Sequence, residues 1–296
     1  MRSCFNRVFE NRRVLVTGHT GFKGGWLTLW LSALGAEVHG FALPPSSKPN
    51  LFVAAGLADR LVSNHFGDIR DYDDLLDYMQ RVRPEIIFHL AAQPLVRPSY
   101  RDPKGTYETN VMGTVNLLEA VRHCDSVRVC QVITSDKCYE NREWEYGYRE
   151  NDPMGGYDPY SSSKGCTELV VSAYRHSFFQ EVSISQHGVS LASSRAGNVI
   201  GGGDWSEDRI IPDCVRALVK RATIQVRNPQ AIRPWQHVLE PLSGYLWLAA
   251  RQWEHPGSFE GGWNFGPVGT GNVDVQGIVE LVIAAWGSGN WQTVES

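Results

Sequence analysis

The stretch VLVTGHTGFKGGWL, residues 14–27, decides the fold. Val14, Leu15 and Val16 form a short apolar run that ends at Thr17-Gly18, and residues 24–34 then read as a Trp- and Leu-rich helix stopped by Gly35. Between them stand Gly18, Gly21 and Gly24. Glycine lets a strand turn sharply into a helix, lets a pyrophosphate approach the backbone, and lets the helix pack against the strand. The helix N-terminus then offers free N–H groups and a partial positive charge to phosphate. The same glycines alone would be a plain structural turn; the strand before and the helix after give them their meaning.

Working outward, residues 37–43 read as a second strand and 73–83 as an amphipathic helix with Leu75, Leu76, Met79 and Val82 inward. Residues 85–90 read as a strand, 106–123 as a helix, 127–134 as a strand and 160–178 as a helix. This alternation predicts an α/β protein with a doubly wound parallel (Rossmann) sheet. After Val189 the texture changes. A strand over 189–194 leads into Arg195-Ala196-Gly197-Asn198 and a glycine-rich loop at 201–204. Helices are expected at 211–221, 238–253 and 275–286, with strands near 224–227 and 263–265. The expected division is a dinucleotide-binding domain over 1–188 and, over 189–296, mainly a smaller C-terminal substrate-binding lobe with some segments returning to the sheet.

Composition narrows the function. With 42% apolar residues, 20% charged residues and a net charge of −4, the chain gives no electrostatic case for nucleic acid or an anionic membrane. Its six cysteines are scattered without CxxC pairing, which argues against a metal site and a disulfide framework and points to reduced thiols in cytoplasm. The N-terminus lacks the apolar stretch of a secretory signal, and no later run is long enough to cross a bilayer.

The second strand ends in Gly40-Phe41-Ala42-Leu43-Pro44-Pro45, with neither a carboxylate for a ribose 2′-hydroxyl nor an arginine for a 2′-phosphate. NAD and NADP are therefore both open on this test. Asp68 follows a third strand and could meet an adenine amino group or cap the next helix; both readings stand.

Tyr160 and Lys164 occur as Tyr-Ser-Ser-Ser-Lys at the start of a helix, one turn apart on one face. An ammonium near a phenol favours phenolate and draws the tyrosine down from its ordinary value near ~10. Such a phenolate can take a hydroxyl proton while hydride leaves the same carbon for a nicotinamide. Thr134-Ser135-Asp136-Lys137 falls at the carboxyl end of a strand, the edge where open α/β sheets bind ligands. Ser135 is the natural second donor to the reacting oxygen, which leaves Asp136 and Lys137 for a further proton transfer.

Seven stretches spread over almost the whole chain carry a resemblance: VTGHTGFKGGWL (16–27), HLAAQPLVRPSY (89–100), TNVMGTVNLLEA (109–120), TSDKCYEN (134–141), DPYSSSK (158–164), RAGNVIGGGDW (195–205) and RPWQHVLEPLSGYL (233–246). The chain resembles the extended short-chain dehydrogenases/reductases and, within them, the CDP-glucose 4,6-dehydratases. The GHTGFKG turn and the Ser-Asp-Lys triplet favour these over dTDP-glucose dehydratases, whose triplet is Thr-Asp-Glu. The resemblance implies NAD used without net consumption: oxidation at C4 of a CDP-sugar, loss of water across C5 and C6, and hydride return to C6, in the supply of deoxysugars for surface polysaccharide such as O-antigen. It implies catalytic roles for Tyr160, Lys164 and Ser135, with Asp136 as the acid for the 6-hydroxyl. Lys137 stands where relatives have a glutamate base, and to serve as the C5 base it must be neutral part of the time, through desolvation or neighbouring cations.

The same resemblance implies cofactor contacts from Gly18, Thr20, Gly21, Phe22, Lys23, Gly24, Asp68, Ile69, Leu90, Ala91 and Ala92, with Tyr160 and Lys164. It implies substrate contacts from Gln93, Arg97, Asn198, Arg209 and Arg233. It also implies a homo-oligomer, a dimer or tetramer, formed through the helices at 106–123 and 160–178, and a family length exceeding Ser296, so that the lobe is expected to be truncated. Two other readings remain: another dehydratase or a 4-epimerase on the same scaffold, and an NAD-binding sensor or assembly subunit without catalysis.

Overall fold

A computed structural model describes residues 4–267 and 272–294. Its strands are β1 (Arg13–Thr17), β2 (Glu37–Ala42), β3 (Ser63–Phe66), β4 (Ile86–His89), β5 (Val129–Ile133), β6 (Ser190–Ala196), β7 (Val199–Ile200), β8 (Ile224–Val226), β9 (Ile232–Pro234), β10 (Gln236–His237), β11 (Gly261–Phe265), β12 (Asn272–Asp274) and β13 (Trp291–Thr293). Seven of them form one parallel sheet in the order β3-β2-β1-β4-β5-β6-β11. The chain reverses its direction of travel across the sheet between β1 and β4. That crevice, at the carboxyl ends of the two strands, is the switch point where such sheets take ligands.

Both faces of the sheet are buried, and so the strands read as continuous apolar runs. Val14, Val16, Ile86, Phe88 and Val129 enter one layer with Leu27 and Leu31 of α1 (Phe22–Leu34) and, from far along the chain, Leu242, Tyr245 and Leu246. Leu15, Ile87, Cys130 and Val132 enter the other layer, against Leu75 and Met79, Leu117 and Leu118, and Val171. The second layer's helices are α3 (Tyr72–Val82), α6 (Gly113–Arg122) and α7 (Pro159–Ser177), and the connections carry the shorter α2 (Leu51–Ala54), α4 (Val96–Arg101), α5 (Pro103–Tyr107) and α8 (Ile184–His187). The chain closes with α9 (Ile210–Val219), α10 (Leu239–Glu254) and α11 (Val275–Trp286).

The helix expected at 106–123 is present but interrupted: a π turn over Glu108–Met112 joins α5 to α6. The carbonyl of Asn110 inside that turn accepts the hydroxyls of Thr114 (2.7 Å) and Thr167 (3.0 Å), and these side chains compete with the ordinary backbone ladder.

The expected boundary at 188/189 falls just before β6, a strand inside the main sheet. Residues 190–196 and 261–265 are sheet strands, and α10 packs on the sheet. The separate lobe is built from α9, α11, β8 and β13 around Cys214, Leu218, Ile224, Val226 and Val279, with β9 antiparallel to β12 beside it. Among the described residues no helix is long and apolar enough to cross a membrane, and no three His, Cys, Asp or Glu side chains converge as a metal-binding group.

Candidate active site

The way α7 begins fixes the first two functional side chains. Asp158 caps the helix, its carboxylate accepting from Ser161 N at 2.9 Å and from Ser161 Oγ at 2.6 Å, and Pro159 takes the first helical position. Ser99 Oγ accepts the Tyr160 N–H at 3.2 Å. Tyr160, 8% exposed, and the buried Lys164 then share one face of the helix. Ser135 follows β5 and caps a short 3₁₀ turn, Asp136–Cys138. Its hydroxyl donates to Asp136 Oδ1 at 3.0 Å, accepts from Lys137 N at 3.3 Å, and pairs with the Tyr160 phenol.

The expected electrostatics of this pair need correction. Burial pushes the Tyr160 phenol up to about 12, and the pull back toward ionisation comes from the Ser135 hydrogen bond and the Arg209 charge rather than from Lys164. Lys164 is itself pushed down to about 8 by burial, with Glu168 opposing. With both groups enclosed, the loss of solvent outweighs the attraction of ammonium for phenol.

Around Asp136 the fold gathers cations. Lys23 stands in the first turn of α1; its Nζ donates to Tyr245 Oη at 3.3 Å and lies 5.6 Å from that ring. Burial, helped by the charges of Arg209 and Lys164 and opposed by Asp136, takes Lys23 down to about 7. Geometry of the glycine turn alone assigns no task to this ammonium. A cation at a helix N-terminus opposes the helix dipole, so the pocket favours anions beyond the carboxylate of Asp136.

That imbalance predicts a measurable penalty. The folded pKa of Lys23 lies below its unfolded value of ~10.4, so the unfolded chain holds the extra proton between those two values and stability rises with pH across that window. Below about pH 7 the full penalty applies. Lys23→Met is expected to raise Tm of the ligand-free protein by roughly 5 °C at pH 6, the gain shrinking toward pH 10. A gain that does not depend on pH in thermal denaturation would refute the assignment.

The turn itself fits a dinucleotide. Gly18 has φ +74°, and a Cβ there would lie 2.7 Å from Ala91 N; a Cβ on Gly24 would lie 2.2 Å from Gly18 O. The backbone of 90–92 thus lies directly on the turn, and Ala91 N donates to Thr17 Oγ1 at 3.2 Å. Gly21 differs: the chain would offer its Cβ only an ordinary contact, 3.4 Å from Gly18 O. The protein's own packing does not require glycine there, whereas a phosphate approaching the uncapped N-terminus of α1 would. Phe22 opens α1, and Thr20 Oγ1 donates to Leu43 O at 2.9 Å beside the end of β2.

Other expected site residues lie in varied surroundings. Asp68 is held by Arg70 through contacts of 2.6 to 3.0 Å, which keep its carboxyl below the usual range; the cap of α3 is Asp71 instead, so the capping reading of Asp68 is overturned. The carbonyl of Ile69 accepts Asn116 Nδ2 at 3.1 Å. Leu90, Ala91 and Ala92 line the crevice edge at the end of β4. The Gln93 amide turns back on its own loop, donating to Leu95 O and Thr106 Oγ1 at 3.0 Å and accepting Leu95 N at 2.6 Å, and so braces it.

Arg97, 58% exposed, pairs with Asp208 at 3.3 Å, which ties α4 to the loop before α9. Arg209 stands at the N-cap of α9, its Nε buried and 3.7 Å from Asp204 Oδ2 without a hydrogen bond, and its charge is felt by Lys23 and Tyr160. Asn198 follows Gly197, where a Cβ would lie 3.1 Å from Asp136 Oδ2, so this loop borders the site. Arg233 lies exposed on β9 and donates to its neighbour Ile232 O at 2.9 Å. Lys137 is exposed, so the desolvation expected for a neutral lysine is found at Lys23 and not at Lys137.

Three further residues escaped the motif reading. Asn110 joins the 90–93 loop to α7, accepting Gln93 N at 2.7 Å and donating to Ser163 Oγ at 2.8 Å; it lies inside the TNVMGT stretch. Tyr245 comes from α10 and lies inside the RPWQHVLEPLSGYL stretch. Glu168 sits four residues after Lys164, a spacing that could have flagged it.

A parallel sheet with a bare glycine turn at its switch point, and Ser135, Tyr160 and Lys164 on the adjoining strand end and helix, defines the extended short-chain dehydrogenase/reductase class. Within that class the chain belongs to the GDP-mannose 4,6 dehydratase family, whose description matches residues 15–263. It is 56% identical over 279 residues to a CDP-glucose 4,6-dehydratase of Salmonella typhimurium, covering 94% of this chain and 77% of that protein. Among solved structures it superposes on an epimerase of Methanothermobacter thermautotrophicus with a TM-score of 0.84 at 20% identity, covering 100% of this chain and 83% of that one. A dTDP-glucose 4,6-dehydratase of Streptomyces venezuelae, solved with NAD, gives a TM-score of 0.79 at 22% identity, covering 96% and 84%. These two likenesses speak to fold.

Proposed function

We propose that the chain is a CDP-glucose 4,6-dehydratase, a hydro-lyase that converts CDP-glucose to its 4-keto-6-deoxy derivative. The observation that carries this reading is the gathering of Tyr160, Ser135 and Asp136 beside the glycine turn, in a chain 56% identical to a protein of that name. When bound, NAD supplies a two-electron acceptor that the cycle restores. The turn from Gly18 to Gly24, with Leu90, Ala91 and Ala92 over it, would hold it, and Asp68 with Ile69 would flank its far end.

Tyr160 takes the proton of the sugar 4-hydroxyl while Ser135 donates to the same oxygen. Arg209 adds positive charge that favours the phenolate. The 4-ketone acidifies the proton on C5, which Lys137 removes while Asp136 protonates the departing 6-hydroxyl. Because Lys137 is exposed, any loss of its water must come from the sugar nucleotide covering it. Arg97, Arg209 and Arg233, at the rim between sheet and lobe, suit the substrate pyrophosphate, with Asn198 nearby. Tyr107, Met112 and Leu169 expose apolar surface on the π-interrupted helix and on α7, which supports a homo-oligomer formed through these two helices. The site of action is cytoplasmic.

Incubation with NAD and each of the CDP-, GDP-, UDP- and dTDP-glucoses is expected to give a 4-keto-6-deoxy product from CDP-glucose alone. Product from a different nucleotide would reassign the base, and tight NAD binding with no product from any would favour the sensor. Lys137→Ala is expected to slow entry of solvent deuterium at C5 by about 10²-fold or more. Exchange at the wild-type rate in that variant removes Lys137 from the role of base.

A further inference from the structure

Tyr160, Lys164 and Glu168 follow one another at four-residue spacing along α7, and all three are buried. The Glu168 carboxylate reaches both neighbouring strands: Oε1 accepts the Thr134 hydroxyl, and Oε2 accepts Ser193 Oγ at 2.6 Å and Arg195 Nη2 at 2.6 Å. Thr134 is the residue before Ser135. Arg195 donates onward to Tyr139 Oη at 2.6 Å and to Glu150 O at 2.9 Å, which anchors the segment leaving the 136–138 turn. A buried ion pair is a poor source of stability, because apolar residues of similar volume do as well or better. Its position between the catalytic strand end and the catalytic helix asks for another reason.

We infer that Glu168 is a positioning residue for the reaction, holding Ser135 in place through Thr134 and keeping Lys164 in its ammonium form. Lys164 is faced by His89 from β4, Lys23 from α1 and Cys138 from the 136–138 turn, besides Glu168 from its own helix. Tyr160 is faced by Asp136, Asp158, Arg209 and Tyr245. Enclosure acts against the ammonium, Lys23 adds a like charge, and His89 is held neutral, its pKa near 3. The Glu168 carboxylate is the counterweight, and Arg195 moderates it from the far side.

The inference rests on the dehydratase reading, and its test separates the two. The alkaline limb of kcat/KM for CDP-glucose against pH is compared in three variants, together with the titration of the Lys164 amine by nitrogen-15 NMR in ligand-free protein. Glu168→Gln is expected to move both downward by roughly one pH unit, Arg195→Met to move both upward, and Glu168→Asp to leave both near wild type. A network that only braces the fold would lower the rate at every pH without opposite displacements, and that result overturns the inference, as does an unmoved limb in either folded charge-changing variant. Each of these two variants decides alone if the other fails to fold. A wild type that turns over no CDP-glucose sinks the dehydratase reading, while the Lys164 titration still decides the role of Glu168.

Discussion

Tyr160→Phe is expected to lower kcat/KM for CDP-glucose by about 10³- to 10⁴-fold, the range associated with losing a positioned general base. The change removes one oxygen. The phenol pairs with Ser135, which keeps Asp136 Oδ1 and Lys137 N as partners, so the net stability change should stay within ~1 kcal/mol. NAD affinity should change little, because the glycine turn is untouched. The loss should fall on C4 oxidation, read as the disappearance of ketone product and of any transient reduced cofactor. A folded Tyr160→Phe protein that keeps even a tenth of wild-type activity would require a different base and would dismantle the proposed first step. Because burial places the phenol at about 12, the wild-type rate should also rise with pH on the acid side until charges brought by ligands offset that burial.

Gly24→Ala is expected to abolish measurable NAD binding, a loss of at least about 10²-fold in affinity, and to destabilise the fold by ~3 kcal/mol or more through overpacking. The new Cβ would sit 2.2 Å from the backbone oxygen of Gly18, an atom that cannot swing aside as a flexible side chain can. Either α1 moves away from β1 or the turn reshapes, and both spoil the phosphate cradle. Gly21→Ala provides the contrast. Its Cβ meets only an ordinary 3.4 Å contact, so thermal stability should be near wild type while NAD affinity still drops, because the methyl group occupies space wanted by phosphate. Calorimetric titration with NAD on both variants, alongside their Tm values, checks the pair. If Gly21→Ala binds NAD normally, the cradle has been placed wrongly.

The site's own side chains are thus arranged against the stability of the fold. It encloses Lys23 and Lys164 and pushes the Tyr160 phenol upward, while Arg209 and Asp136 lie close by. Such an arrangement costs folding free energy that binding of anionic ligands offsets, since their charge is worth most where water has been removed. The same reasoning explains why the substitution with the clearest expected gain in stability, Lys23→Met, lies inside the site.

The features fixed by short-range rules were legible in the sequence. Apolar runs of strand length, the glycine spacing at 18, 21 and 24, the αL stop at Gly35 and the four-residue step from Tyr160 to Lys164 depend on periodicity and backbone sterics within a dozen residues. They were enough for the parallel sheet, its first crossover and the catalytic face of α7. The tertiary structure decided what depends on partners distant in the chain. It put the edge strand β11 and helix α10 on the main sheet, turned Gln93 into a brace, gave Asp68 to Arg70, and enclosed Lys23 under Tyr245 while leaving Lys137 in solvent. Charge state and hydrogen-bond choice follow from desolvation and from competition among neighbours, and neither is set until the layers have packed.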